Sequence, residues 1–473
     1  MFNDNFKEDF NKLGIVLTPK HIIELMCSLS KLSSDSVVLD PCTGTGRFLI
    51  VARESTTNLI GIEIREDLYA IASDKLNTTI YLGSCFDPEI SKDIKENKRP
   101  NVALINPPYS QKGKGLSELD FIKHTLDLLQ PNGVCVAIVP MSCGIKPSQV
   151  KKDLLASHTL EACLSMNSEL FYRVGTHTIV LVFRAHVPHD ENKPTYIADW
   201  SDDGLVSVKN QGRQDVNNLW PARKKQFLDD YFAKREVKGI SVVKNLSVDD
   251  EWVIQAHLET DYSKLTKKDF QRVLLERMLY ELGYTNMLDY VLDKVELPDI
   301  DFSGKLVDEP LPELNPGEWK EFKLSDLFDF ERGKVSKIPK DDLDNNGAVN
   351  FLTCSSKNNG CIGRIDIKAQ ANNCLSIANN GVHLGTAFYQ DGPVTGTADV
   401  CIAKPKFEIS KNIGLFISVI IHQEKPKYSY GRKFGLDKMR DTMIKLPSTP
   451  QGEPNWEWME EYMDKLSTTI SKW

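Results

Sequence analysis

The run NVALIN passes straight into Asn106-Pro107-Pro108-Tyr109, and these four residue types in this order suit one kind of chemistry. Two consecutive prolines fix the backbone and remove two donors, so the carbonyls of the turn face outward as acceptors. The Asn106 amide oxygen and the Pro107 main-chain carbonyl can then each accept one N–H of an exocyclic amine such as that of adenine. Holding those hydrogens draws the nitrogen lone pair out of conjugation and aims it at an electrophilic methyl, while the Tyr109 ring offers a flat face for a base to stack on. No strong general base is required, because a donor with a good leaving group is reactive enough and the proton departs afterwards. The alternative is a plain Pro-Pro turn between strand and helix, and the company the motif keeps argues against it.

That company begins with VVLDPCTGTGRFLI, which reads as a strand ending in Asp40, a turn containing Gly44 and Gly46, and a helix from about Arg47. Small residues there let the backbone approach a ligand closely. LIGIEI ends a second strand at Glu63, whose carboxylate can accept hydrogen bonds from both hydroxyls of a ribose, and a third strand ends in LGSCF. Dinucleotide enzymes open in a similar way, so the glycines alone do not separate one adenosine ligand from another. NPPY at the end of the fourth strand does.

These turns need a sheet to hold them. From Val37 to Phe183 short β-branched runs alternate with amphipathic stretches, the pattern of βαβ units and of a mostly parallel sheet covered by helices on both faces. The predicted fold is therefore α/β and Rossmann-like, with ligands at the C-terminal ends of the strands. From about Ala185 to Pro316 the texture turns polar and helical; in KKDFQRVLLERMLYELGY, Phe270, Val273, Leu274, Met278, Leu279 and Leu282 form a helical apolar stripe read as the core of a connecting segment. VELPDIDFSGKLVDEPLPELNPGEW follows as a Pro- and acid-rich linker. Beyond Trp319 short strands punctuated by Gly and Asn indicate a β-rich domain. The expected division is a catalytic domain over 1–190, a helical extension and linker over 191–317, and a recognition domain over 318–473.

Composition narrows the class. With 41% hydrophobic and 26% charged residues the chain resembles ordinary globular proteins and not disordered ones. No secretory signal is read at the N-terminus and no apolar stretch reaches the roughly 18 residues of a membrane span, so a cytoplasmic protein without a membrane partner is expected. The ten cysteines include no CxxC pair and no His partner at zinc spacing, so they read as reduced and mostly buried, with no metal site. A net charge of −8 argues against indiscriminate coating of nucleic acid, leaving any such contact to one locally basic face.

Residues 14–183 resemble the gamma class of DNA amino-methyltransferases, which includes the modification subunits of type I restriction systems. GIVLTPKHIIELM is similar to that family's N-terminal motif, which implies that Thr18 and Pro19 lie over the methionine end of S-adenosylmethionine. DPCTGTGRF resembles its methionine-binding loop, with Asp40 near the cofactor amine and Pro41, Cys42 and Gly44 shaping the loop. The resemblance further implies that Glu63 binds the ribose, that Ile64 contacts the cofactor adenine, and that NPPY is the catalytic signature. In LFYRVGTHTIVLVF it implies an aromatic packed against a flipped target base, Phe171 ahead of Tyr172. One position departs from the family: Ser84 stands where Asp or Asn commonly holds the cofactor adenine amine.

The C-terminal part resembles a single target-recognition domain of type I specificity subunits, through EWKEFKLSDLFDFERGKV, the Gly/Asn-rich stretches between 351 and 400, and KYSYGRKFGLDKMRDTMIKLPSTPQGEPNWEWMEEYM. In that closing stretch Lys425, Lys427, Arg432, Lys433, Lys438, Arg440 and Lys445 interleave with Tyr428, Tyr430 and Phe434. Cations beside aromatic groups suit a phosphate backbone, and Lys427, Tyr430, Arg432, Lys433 and Lys438 are the expected DNA contacts. Pro298-Asp299 with Glu318-Trp319-Lys320 formally imitates a nuclease metal motif, but its halves fall in a linker and at the first strand of another domain. The resemblance as a whole implies an adenine-N6 methyltransferase acting on double-stranded DNA within a bacterial or phage restriction–modification or protection system, with a restriction subunit or a second copy of the chain as further partners. Methyl transfer to RNA or to a protein glutamine, and a bifunctional restriction enzyme, are the rival readings.

Overall fold

The computed structural model describes residues 17–110, 115–171, 175–209, 211–284, 311–337, 343 and 346–470, and the chain divides into two compact units, Met1–Leu258 and Glu259–Trp473. None of its described helices is long and apolar enough to cross a membrane.

The first unit is an α/β layer structure, as the alternation of short apolar runs predicts. Helix α1 (Lys20–Leu29) precedes β1 (Val37–Asp40), α2 (Arg47–Ala52), β2 (Asn58–Glu63), α3 (Glu66–Lys75), β3 (Thr79–Leu82) and β4 (Val102–Ile105). Then come α4 (Glu118–Leu128), β5 (Val134–Pro140), α5 (Gln149–Ser157), β6 (Thr159–Ser165), β7 (Thr178–Arg184) and β8 (Thr195–Asp199). A two-stranded hairpin of β9 (Val206–Val208) and β10 (Gly212–Gln214), helix α6 (Trp220–Ala233) and β11 (Ser241–Lys244) complete the unit. Nine strands form one sheet in the order β11-β8-β6-β7-β5-β4-β1-β2-β3. Strands β1 to β5 are mutually parallel, whereas β7 runs antiparallel to both β5 and β6.

Strand alternation sorts the core into two layers. Val38, Val102, Leu104, Val136 and Ile138 meet residues of α1, α2 and α6 on one face, while Leu39, Ala103, Ile105, Ala137 and Val139 meet α4 on the other. The helix after β1 and the helix after β4 thus lie on opposite faces although their strands are neighbours. That divergence opens a crevice at the carboxyl ends of the two strands, where open α/β sheets bind their ligands.

The expected boundary at 190 differs from the structure. Strands β8 and β11 extend the sheet beyond β6, and Trp252, Val253 and Ile254 are buried in its core. Lys151 of α5, fully buried, ties this segment down by donating to the carbonyls of Gly144 at 3.1 Å and Asp250 at 2.9 Å, its Nζ 4.2 Å from the Trp252 ring centre. TYIAD and SVVK were hard to read as strands because they are short and lie among charged residues.

The second unit contains a four-stranded antiparallel sheet and smaller ladders. Helix α7 (Lys267–Glu281) leads to β12 (Lys320–Lys323), β13 (Phe328–Arg332), β14 (Val349–Leu352), β15 (Cys361–Ile365) and β16 (Cys374–Ala378). The chain continues through β17 (Ala387–Gln390), β18 (Val394–Gly396), β19 (Val400–Pro405), α8 (Lys411–His422), β20 (Met443–Leu446) and α9 (Trp456–Ile470). The sheets run β13-β19-β16-β17, β15-β14-β18 and β12-β20. Helix α7, expected as part of a connector, belongs to this unit: Phe270, Val273 and Leu274 share its core with Phe416 of α8 and Tyr462 of α9. Leu282, at the end of the expected stripe, is exposed instead. Arg277, only 3% exposed at its side chain, pins the helix by donating to Glu281 at 2.7 Å and to the Tyr389 carbonyl at 3.1 Å, and by pairing with Asp391. Of the nuclease-like motif, Pro298 and Asp299 lie outside the described residues, and Trp319 is buried in this core.

Arg277→Ala leaves the Tyr389 carbonyl and Asp391 without this donor, but Glu281 keeps Lys411 at 2.6 Å and Asp391 is half exposed and hydrates. The expected loss is about 1–3 kcal/mol, the range for hydrogen bonds to a charged group, read as a lower urea midpoint for the transition of the second unit.

Candidate active site

The carboxyl ends of β1, β2 and β4 and the turn after β3 surround one cavity of about 540 Å³, within the range of small-molecule sites. Pro41, Cys42 and Gly44 line it from the loop after β1, Glu63 and Ile64 from the end of β2, and Ser84 from the turn after β3. Asn106, Pro107, Pro108 and Tyr109 close it from the end of β4, with Thr18 ahead of α1. Residues up to 91 positions apart therefore meet as expected. Pro19 does not border the cavity; its carbonyl accepts from the Ile22 and Ile23 N–H groups at the start of α1.

The loop after β1 is shaped around Glu63. Gly44, at φ +55°, donates its N–H to Glu63 Oε2 at 2.7 Å, while Arg65 N–H reaches Oε1 at 2.9 Å. Each oxygen keeps a second lone pair for a ligand hydroxyl. Gly46, at φ +83°, begins α2 where a Cβ would come within 2.8 Å of Leu76, so a side chain would push the loop off α3. Asp40 is fully buried just beneath the cavity. Its Oδ1 accepts from Cys42 N–H at 3.2 Å, whereas Oδ2 has no hydrogen-bond partner among the described residues. Burial, reinforced by the nearby Glu63 charge, pushes its pKa up to about 8. A buried carboxylate oxygen left this way is costly unless a cation or donor completes it, so this environment fits an ammonium group.

Ile64 projects with 68% exposure beside Phe86 and Phe121, whose rings meet edge to face at 4.9 Å. These two aromatics line the cavity and were not singled out from the sequence; Phe86 stood within the LGSCF motif, but Phe121 is a helix residue with no local sign of its position. The Ser84 hydroxyl accepts from Phe86 N–H at 3.2 Å, so it closes the turn that presents Phe86.

At the NPPY turn, Asn106 Nδ2 donates to Thr18 Oγ1 at 3.0 Å, which directs the amide's oxygen end away from Thr18. Thr18, expected against the cofactor alone, thus also orients the Asn106 amide. The Tyr109 phenol is buried without a hydrogen-bond partner among the described residues, and desolvation drives its pKa upward. Its ring meets Phe171 edge to face at 6.4 Å and 85°. Phe171 is 3% exposed within the core and does not line the cavity. It is placed to support Tyr109 and does not itself offer a face to a base, because its own faces are packed. Tyr172 lies outside the described residues.

In the second unit the basic stretch divides. Lys427 ion-pairs at 2.8 Å with the buried Glu424, and Arg432, 8% exposed, donates to the Lys427 carbonyl at 2.9 Å and lies over Tyr428. Tyr428 in turn stacks on the buried Phe434 at 4.0 Å. Both expected DNA contacts thus have internal partners, Lys427 because the buried Glu424 needs a cation and Arg432 through the Lys427 carbonyl. Tyr430 is 63% exposed with Lys433 Nζ 5.6 Å from its ring, and Lys438 is half-buried.

Residues 1–265 match the family model described as N-6 DNA Methylase, and residues 316–472 match that of the type I restriction modification DNA specificity domain. The type II restriction enzyme and methyltransferase RM.BcgI of Heyndrickxia coagulans is 32% identical over 322 residues, 61% of this chain and 50% of that protein. The type II restriction enzyme BgcI specificity subunit S.BcgI of the same organism is 30% identical over 164 residues, 34% of this chain and 47% of that one. A solved type I restriction-modification methyltransferase subunit from Streptococcus thermophilus has a TM-score of 0.42 at 17% identity, over 49% of this chain and 56% of that chain. The chain spans about half the length of the curated relatives it matches. The N-terminal match runs through the DPCTGTG loop, Glu63 and NPPY, all of which border the one cavity, and it takes in more than half of the 473 residues; the chain belongs to the N-6 DNA Methylase family.

Proposed function

We propose that the chain transfers a methyl group from S-adenosylmethionine to N6 of an adenine swung out of duplex DNA, at a sequence chosen by its C-terminal specificity domain, in a restriction–modification or related protection system. The observation that carries this reading is the Asn106 amide, oriented by Thr18 in a cavity that the Glu63 carboxylate also lines, with Asp40 buried next to its wall residue Pro41. Bound S-adenosylmethionine supplies the electrophilic methyl. Asp40 Oδ2 would take its ammonium, Glu63 its ribose hydroxyls, and Ile64 with Phe86 its adenine. Asn106 Oδ1 and the Pro107 carbonyl would accept the two N–H groups of the target amine, and Tyr109, held edge-on by Phe171, would stack on the base. An adenine inside a duplex cannot reach such a pocket, so the nucleotide must unstack at a cost of a few kcal/mol. The match of residues 316–472 to a DNA specificity domain favours DNA over RNA or a protein side chain as the substrate. Of the expected contacts in that domain, Tyr430 and Lys433 are the exposed ones.

Long-read sequencing of DNA from cells expressing the chain should report N6-methyladenine in one sequence context, and no such mark would reject the reading. Asn106→Ala should abolish that mark, lowering methyl transfer about 10²–10³-fold as removal of one preorganised polar group does, with cofactor affinity near wild type.

Asp40 must ionise to pair with an ammonium, and its folded pKa of about 8 lies above neutral pH. Binding therefore releases a proton below that pH, and affinity for S-adenosylmethionine should rise between pH 5.5 and 7.5, by up to about tenfold per unit. Titration calorimetry in two buffers of different ionisation enthalpy should detect the proton, and Asp40→Asn should bind more weakly with no such dependence.

Tyr430→Ala with Lys433→Ala should weaken DNA binding and reduce its salt slope by about one, while cofactor affinity holds. An unchanged slope would move the DNA face elsewhere.

A further inference from the structure

The NPPY turn is anchored on both sides. On its amino side, β4 and the Asn106–Thr18 bond hold it. On its carboxyl side Glu118, eight positions beyond Ser110, grips the residue that follows Tyr109: Oε1 accepts from Ser110 N–H at 2.8 Å and Oε2 accepts from Ser110 Oγ–H at 3.1 Å. Glu118 is 6% exposed whereas Ser110 is exposed, so the carboxyl end of both hydrogen bonds is shielded from water and the serine end is open to it.

The grip is itself rigid. Glu118 is the first residue of α4, a helix whose start is closed by a reciprocal capping box between Ser117 and Asp120, and a carboxylate is favoured at that end by the helix dipole. Leu119, Ile122 and Leu126 bury the same helix against the sheet. Glu118 therefore transmits the position of the core to the Tyr109–Ser110 peptide. Between Asn106 and Ser110 the two prolines have fixed φ, which leaves few soft torsions. With both ends held, the Pro107 carbonyl and the Tyr109 ring have one arrangement; with one end released, they can swing.

We propose that Glu118 is a positioning residue for methyl transfer, acting through Ser110 to hold the Pro107 carbonyl and the Tyr109 ring in register with the Asn106 amide. This rests on the methyl-transfer reading above. Glu118 touches neither the ribose-binding nor the ammonium-binding groups, which come from β1 and β2, so its contribution belongs to the chemical step and not to cofactor affinity. A displacement of about 1 Å at a reacting group costs on the order of 10²-fold in rate.

The test uses the full chain, S-adenosylmethionine carrying a labelled methyl, and duplex DNA containing the methylated site. Glu118→Ala should bind the cofactor within about twofold of wild type, while its single-turnover rate per cofactor-binding site falls about 10–100-fold. Glu118→Gln can accept from Ser110 N–H and donate to Ser110 Oγ, and should recover the rate to within about fivefold. Ser110→Ala, at an exposed position, removes one of the two bonds and should slow transfer about 3–10-fold. A role confined to stability would lower the melting temperature and the number of cofactor sites, leaving the rate per site unchanged.

A Glu118→Ala rate per site within about threefold of wild type, or a Glu118→Gln protein as slow as Glu118→Ala, would overturn the proposal. Should Glu118→Ala bind no cofactor at all, Ser110→Ala decides, and wild-type turnover there would overturn it too. A wild-type protein that labels no DNA overturns the methyl-transfer reading and this inference with it; an active wild type with indifferent variants overturns the inference alone.

Discussion

The pairing of β1 with β4, Val38 against Val102 and Leu39 against Ala103, is the constraint on which the site depends. The strands are parallel neighbours, yet the helices that follow them leave toward opposite faces of the sheet, so no connection crosses above their carboxyl ends. The ends of β1 and its neighbour β2 carry the groups suited to an amino acid and a nucleoside. The turn after β4 carries those suited to an aromatic amine. A single row of backbone hydrogen bonds thus brings residues more than 60 positions apart into one crevice, and any change that slid β4 against β1 would separate the two sets.

Within that crevice the polar groups fall into two kinds. Glu63 and Glu118 are buried but satisfied, each with both oxygens accepting from nearby chain atoms, and they shape loops as well as present chemistry. Asp40 is buried with one oxygen unpartnered among the described residues, and burial together with the nearby Glu63 charge raises its pKa. Satisfied groups stabilise the fold, whereas an incomplete one destabilises it until a ligand arrives. Such a division lets the apoprotein keep a preformed pocket while reserving part of the binding free energy for the ligand.

The second unit shows how little a basic stretch reveals before its partners are known. Glu424, fully buried, takes hydrogen bonds from Thr260 at 2.6 Å and Tyr262 at 3.2 Å and pairs with Lys427. It ties the beginning of the unit to the end of α8. Lys427 and Arg432 are consumed by this internal network, and the charge left for a polyanion is correspondingly smaller. In the same way α7 supplies an apolar stripe and a buried Arg277 to a core built mostly from residues beyond 318.

The sequence by itself determined the α/β class of the first unit and the strand ends that form its cavity, because both are written in local patterns: alternating apolar strands, a glycine turn after one strand, an acid at the end of the next and Asn-Pro-Pro-Tyr after the fourth. A parallel sheet then forces strand ends to converge, so short motifs sufficient to mark those ends were sufficient to assemble the site. Tertiary structure alone decided what depends on who is buried against whom. It assigned Thr18 to the Asn106 amide, packed Phe171 behind Tyr109, and brought Phe121 from a helix to the cavity wall. It gave β8 and β11 to the first unit and α7 to the second, since four- and five-residue strands and a helical stripe carry no mark of the partner they will find. Lys427 and Lys433 are the same residue type six positions apart, yet one is paired with a buried acid and the other is exposed, because burial of Glu424 is set by contacts with residues some 160 positions earlier in the chain.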